Sequence, residues 1–199
     1  MITPCFEVVG GGNYAIDSLV LEDVVDGAAS VQIVNADGTW GTQGIWFNAY
    51  GEFPAGWCTD MLGTTPADIS LTPGQAVFFY TTSESAKAMS AGQVSDTITV
   101  DLSSGYSMIG NASPVPVAID SITLEGVVDG AASVQVVNAD GSWGTQGIWF
   151  NAYGEFPAGW CTDMLGTTPA DITLQPGQSV FFYTTATGAK ATIPSALAQ

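Results

Sequence analysis

The chain has 199 residues, 46% hydrophobic and only 11% charged, and its 19 acidic residues against two lysines leave a formal net charge of −17. With two lysines, no arginine and no histidine, it has too few cations to neutralise nucleic-acid phosphates or to dock on anionic lipid headgroups. The apolar content excludes general disorder, and no run of residues is apolar for long enough to span a bilayer.

In chain order, residues 2–9 hold a short apolar run without the basic lead of a secretory signal. Met1 is therefore either a natural start or stands where a signal was removed. The segments SLVLEDV (18–24), SVQIV (30–34) and VFFYTT (77–82) are short, β-branched or aromatic, and closed by turn residues, which predicts strands. Asp26-Gly27, the run from Asn35 to Gly38, and Pro73-Gly74 are turn chemistry, because Asp-Gly and Pro-Gly suit the dihedrals of tight turns. Residues 86–93 hold the one predicted helical turn. TITVDL at 97–102 is another clear strand.

From residue 118 the same succession returns. Residues 15–82 recur almost verbatim as 118–185, and 40–69 are identical to 143–172. The reading is all-β, as two tandem, near-identical β-sandwich or barrel-like domains over 1–95 (copy 1) and 96–199 (copy 2). The strand at 97–102 occurs once, since Met1 aligns with Ser104 and Gln199 with Asp96. Copy 1 is expected to lack this leading strand of copy 2, leaving an open sheet edge. Two fillers are available: a strand from a neighbouring subunit, or residues 2–9 of the same chain.

SGYSMIGN at 104–111, followed by Ala112, Ser113 and Pro114, resembles the GYNLIGNP-like opening of β-domains in secreted bacterial surface proteins. Those domains close on a proline–glycine turn and an aromatic strand, as LQPGQSVFFY does at 174–183 and LTPGQAVFFY at 71–80. The resemblance covers nearly all of copy 2 but only the later part of copy 1, where residues 2–13 depart from the opening. It implies an extracellular, cell-surface β-domain and carries no catalytic residue across.

A duplicated surface suits an assembling subunit or a multivalent binder better than an enzyme. Without histidine the usual serine and cysteine triads lack their base, and the carboxylate pairs Glu22/Asp23 and Glu52/Asp60 have no cation beside them to clamp a substrate. No enzymatic activity is expected. The leading expectation is an extracellular structural subunit that builds a filament or surface layer from copies of itself by strand complementation. Its assembly residues would be Cys5, Phe6, Val8, Val9, Ile98, Val100, Leu102, Ile193 and Leu197. The alternative is an adhesin or carbohydrate-binding pair with a glycan partner, using Trp40, Trp46, Tyr50 and Trp57 and their equivalents Trp143, Trp149, Tyr153 and Trp160. Packing of the same rings in a core competes with that alternative, and a virion fibre or decoration protein is a third reading.

No cofactor is expected. Calcium is the one metal that the oxygen-rich turns at Glu22, Asp23, Asp26, Asn35 and Asp37 suit, against a plain turn-capping role. Three cysteines leave open a Cys5–Cys58 bond with Cys161 free, a bond between subunits, or three buried thiols. The triplet Asn111-Ala112-Ser113 matches an N-glycosylation acceptor.

Overall fold

The computed structural model describes residues 12–89, 97–138 and 140–194. Copy 1 contributes β1 (Tyr14–Ala15), β2 (Val20–Glu22), β3 (Ala29–Val34), β4 (Trp40–Phe47), β5 (Gly56–Cys58), β6 (Ser70–Leu71), β7 (Phe78–Thr81) and β8 (Lys87–Met89). Two strands follow, β9 (Thr97–Leu102) and β10 (Gly105–Gly110). Copy 2 then gives β11 (Val117–Ala118), β12 (Thr123–Glu125), β13 (Ala132–Val137), β14 (Trp143–Phe150), β15 (Gly159–Cys161), β16 (Thr173–Leu174), β17 (Ser179–Thr184) and β18 (Ala189–Pro194). A single 3-10 turn follows β1 at Ile16–Ser18 and β11 at Ile119–Ser121. The protein is all-β, and among the described residues no helix is long and apolar enough to cross a membrane.

The pairing repeats with the sequence. The main sheet runs β5-β4-β3-β7 in copy 1 and β15-β14-β13-β17 in copy 2, with β10 added at the outer edge of β17. Smaller pairs β1-β6 and β11-β16 recur in the same register. Each main sheet turns its alternate apolar residues onto a core of its own, around Val31, Trp46 and Trp57 in one copy and Val134, Trp149, Trp160 and Phe182 in the other. The predicted helical turn at 86–93 is corrected where it is described. Residues 87–89 form β8, drawn into extended pairing with β2.

One local device decides which tryptophans face out. In β3–β4 the register moves from Gln32↔Gln43 to Val34↔Trp40, so β4 carries one residue more than β3 in that interval. This β-bulge reverses the side on which the next residue points. Trp40 and Trp46 are an even number of residues apart and would share a face in a regular strand. Instead Trp46 faces the core and Trp40 faces outward. The same shift lies between Gln135↔Gln146 and Val137↔Trp143. Glycine fits the bulge because a Cβ at Gly41 would press on Ile33 and Asn35, and one at Gly144 on Asn138.

Candidate functional site

β9 pairs with β18 along its whole length, from Thr97↔Pro194 to Leu102↔Ala189, giving a sheet in the order β12-β18-β9. Its alternation is regular: Ile98, Val100 and Leu102 enter the core of copy 2 beside Ile193, and Thr97, Thr99 and Asp101 face out. Burial of each apolar side chain contributes roughly 1.5–3 kcal/mol. Four of the expected assembly residues, Ile98, Val100, Leu102 and Ile193, are thereby corrected to core positions inside their own chain. Cys5, Phe6, Val8, Val9 and Leu197 lie outside the described residues.

The equivalent sheet of copy 1 has two strands among the described residues, β2 and β8. The effect shows in one pair of equivalent alanines. Ala191 on β18 is 0% exposed beneath β9, whereas Ala88 on β8 is open to solvent. Phe182 and Thr184 are likewise fully buried in copy 2, while Phe79 and Thr81 are only half-buried in copy 1. Copy 1 is thus less completely sealed along the β8 side.

β10 joins the copies. One edge pairs with β17 from Gly105↔Thr184 to Gly110↔Ser179. Its other edge meets copy 1, where the Ala76 amide donates to the Met108 carbonyl at 3.0 Å and the Gly110 amide to the Gly74 carbonyl at 3.0 Å. Farther along, the Tyr106 amide donates to the Ala36 carbonyl at 2.7 Å. The β3–β4 hairpin of copy 1 therefore sits over the outer face of copy 2, with Gly38 against the Tyr106 ring.

That overlap frames a cleft of about 500 Å³. Trp40 of copy 1 and Trp143 of copy 2 both lie edge-on or tilted to Phe181, with ring centroids 6.3 and 5.5 Å away. Tyr106 and Tyr183 continue the wall with centroids 4.9 Å apart. Sequence reasoning missed Tyr106, Phe181 and Tyr183 as site residues. The signal was the alternation in β17, where Val180, Phe182 and Thr184 point inward and Phe181 and Tyr183 outward.

No family model, no curated protein and no solved structure matches this chain.

The pair of sugar platforms expected from the repeated rings, four in each copy, is corrected by burial. Trp46, Trp57, Trp149 and Trp160 are at most 5% exposed, so their faces are already spent on each other and on the core. Asn48 accepts from the Trp46 indole at 3.2 Å and donates to Asp26 and to the Val24 carbonyl, so its amide is committed to holding this packing. Trp40, Trp143, Tyr50 and Tyr153 remain exposed. Only the first two reach the cleft. Tyr50 and Tyr153 stand on tight loops closed by paired bonds to Phe53 and Phe156.

The acidic candidates serve turns. Asp26 accepts from the Asn48 backbone at 2.7 Å, and the expectation that no cation stands beside Glu22 and Asp23 is corrected, because strand pairing of β8 with β2 brings Lys87 to 3.8 and 4.0 Å from them. Asp60 accepts from the amides of Leu62, Thr64 and Thr65 at 2.8, 3.3 and 2.6 Å. Hydrogen bonding, led by the Thr65 side chain and followed by these amides, holds its pKa at about 2. Asp163 repeats the arrangement, led by Thr168, also at about 2. Among the described residues no group of three or more acidic or thiol side chains is gathered in a way that suits a metal ion.

Cys58 and Cys161 are free, buried thiols whose pKa is raised, first by burial and then by the nearby carboxylates of Asp60 and Asp17 or Asp163 and Asp120. Cys5 lies outside the described residues. The glycosylation reading of Asn111 is corrected: it is 0% exposed, and its amide nitrogen donates to Val115 and Leu174 carbonyls at 2.7 and 2.9 Å. Those bonds hold the end of β10 in place, so the asparagine of the opening motif is structural.

Proposed function

We propose that the chain is an extracellular structural subunit that assembles with copies of itself into a filament or surface layer. Copy 1 receives along β8 a strand equivalent to β9, supplied by a neighbouring chain. The contrast between open Ala88 and sealed Ala191 carries this reading, because β8 pairs among the described residues with β2 alone, and a strand with a second edge to offer and an exposed small apolar residue is a ready acceptor for strand addition. The donor is the apolar segment 5–9, which offers Phe6 and Val8 at alternate positions, as β9 offers Ile98 and Val100. A head-to-tail contact between two different surfaces of the same subunit propagates as a filament when its rotation does not close a ring.

Duplicated apolar loops support the same reading. Tyr50, Phe53, Met61 and Leu62 are at least 61% exposed, and Tyr153, Phe156, Met164 and Leu165 repeat them. The Asp60 and Asp163 turns hold the methionine–leucine pairs outward. Clustered exposed apolar side chains mark surfaces that other proteins cover.

Light scattering with negative-stain microscopy tests this on wild type and on Ala88→Glu. The substitution places a charge on the acceptor strand at an exposed position, so the fold survives, as circular dichroism will show. Regular assemblies in wild type that are absent in Ala88→Glu are expected. A wild-type monomer at every protein and salt concentration, or equal assembly by the variant, would overturn the proposal.

A further inference from the structure

We infer that the cleft between the copies is a binding site for a neutral carbohydrate chain, and that each chain has one such site. This inference is independent of assembly. It begins with the β-bulge, which turns Trp40 and Trp143 outward while the other four tryptophans are buried. Trp40 is 51% and Trp143 64% exposed. An exposed tryptophan is unremarkable alone. Here the junction brings two of them to one aromatic ring, Phe181, from two different copies.

The size and chemistry of the cleft select the ligand. A volume of about 500 Å³ falls within the roughly 300–1,000 Å³ of small-ligand sites and leaves room for a short run of sugar rings. Among the described residues no charged side chain lines it, although the chain carries a net charge of −17. An anionic ligand would meet a repulsive overall field without any local cation, and a cationic ligand would find no carboxylate. A neutral ligand remains. The aromatic walls suit the apolar C–H faces of sugars, and the exposed Gln146 amide with the Tyr106 and Tyr183 hydroxyls can exchange hydrogen bonds with sugar hydroxyls.

The duplication sets the stoichiometry. Copy 1 presents an equivalent outer face, with Trp40 edge-on to Phe78 at 5.5 Å, but among the described residues no hairpin of another copy overhangs it. The pair of repeated platforms expected from sequence thus becomes a single composite cleft.

Calorimetry and tryptophan fluorescence with hexasaccharides of α-1,4-glucose, β-1,4-glucose, β-1,4-mannose and β-1,4-N-acetylglucosamine test the inference. At least one series is expected to saturate at one site per chain. Trp40→Ala and Trp143→Ala should each weaken that binding about tenfold or more, and Tyr50→Ala and Tyr153→Ala should leave it unchanged. The bound sugar should also protect Trp40 and Trp143 from N-bromosuccinimide oxidation mapped by mass spectrometry, a readout that needs no variant. Absence of saturation with every series, two sites per chain, or undiminished binding by both tryptophan variants would overturn it. So would cross-links showing the cleft filled by a second protein chain.

Discussion

The amide of Tyr106 donates to the carbonyl of Ala36 at 2.7 Å, and this bond ties β10 to the hairpin tip of copy 1. Beside it, Gly105 has a φ of +110°, and a Cβ added there would overlap the Ala36 carbonyl oxygen. Backbone conformation and close approach therefore both require glycine at this position.

Gly105→Ala is expected to destabilise the protein by about 2 kcal/mol or more, since strain and a backbone clash add. Gly141→Ala is the comparison, at a φ of +82° with nothing within 4 Å of the new Cβ, and should cost about 1 kcal/mol. Urea denaturation of the two variants gives the difference directly.

Tryptophan position should divide sharply by face. Trp160 is 1% exposed, and Trp160→Ala should cost about 3–5 kcal/mol. Trp143→Ala, on the outer face of the next-door strand, should stay within about 1 kcal/mol of wild type. Trp160→Phe should fall well below the alanine cost, because it keeps most of the ring packing while, like alanine, it removes an indole N–H that is buried with no hydrogen-bond partner among the described residues. Thermal and urea melts of the three variants check the order.

Acid should loosen the Asp60 and Asp163 turns in a defined window. Both carboxyls sit at about 2 when folded, below the ordinary 3.8, so the unfolded chain takes up protons first as pH falls. Their contribution is complete above about pH 4 and is lost as pH falls through about 2. Asp37 and Asp140, lowered by the hydroxyls and amides of Thr39 and Ser142, act in the same direction. In melts from pH 7 to pH 2, the Asp60→Asn/Asp163→Asn double variant should be less stable than wild type at pH 7. The gap should narrow below about pH 4.

Thiol chemistry gives a further check. Burial and neighbouring carboxylates push Cys58 and Cys161 upward, so neither is thiolate at neutral pH. Mass-mapped labelling with a thiol reagent at pH 7 should modify these two only slowly in the folded protein and rapidly in urea. Fast labelling of either in native buffer would contradict the buried geometry.

The strands and turns were legible because their signals are local. Alternation in TITVDL marks β9 with its inward Ile98, Val100 and Leu102, and Asp-Gly and Pro-Gly mark the turns. The duplication was legible outright. What the strand could not declare was its partner: Ile98, Val100 and Leu102 were expected at an assembly contact, and the ladder of β9 with β18 carries them into the chain's own core. The fate of the tryptophans was hidden by the bulge, since simple alternation assigns Trp40 and Trp46 to one face and a single extra residue in β4 separates them. The cleft depends on contact between copies, which no local pattern encodes. Residues 86–93 read as a helical turn because Ala, Lys and Met favour helix, and pairing of β8 with β2 overrides that preference.

The two-sided pairing of β10 bears on how the chain matures. Copy 1 is synthesised first, yet the Gly74 carbonyl and the Ala76 amide find their partners on a strand that emerges only later. That strand is also the edge of the second main sheet. These bonds of copy 1 therefore close only once β10 is present, and any unfolding that releases β10 strips hydrogen-bond partners from both copies at once.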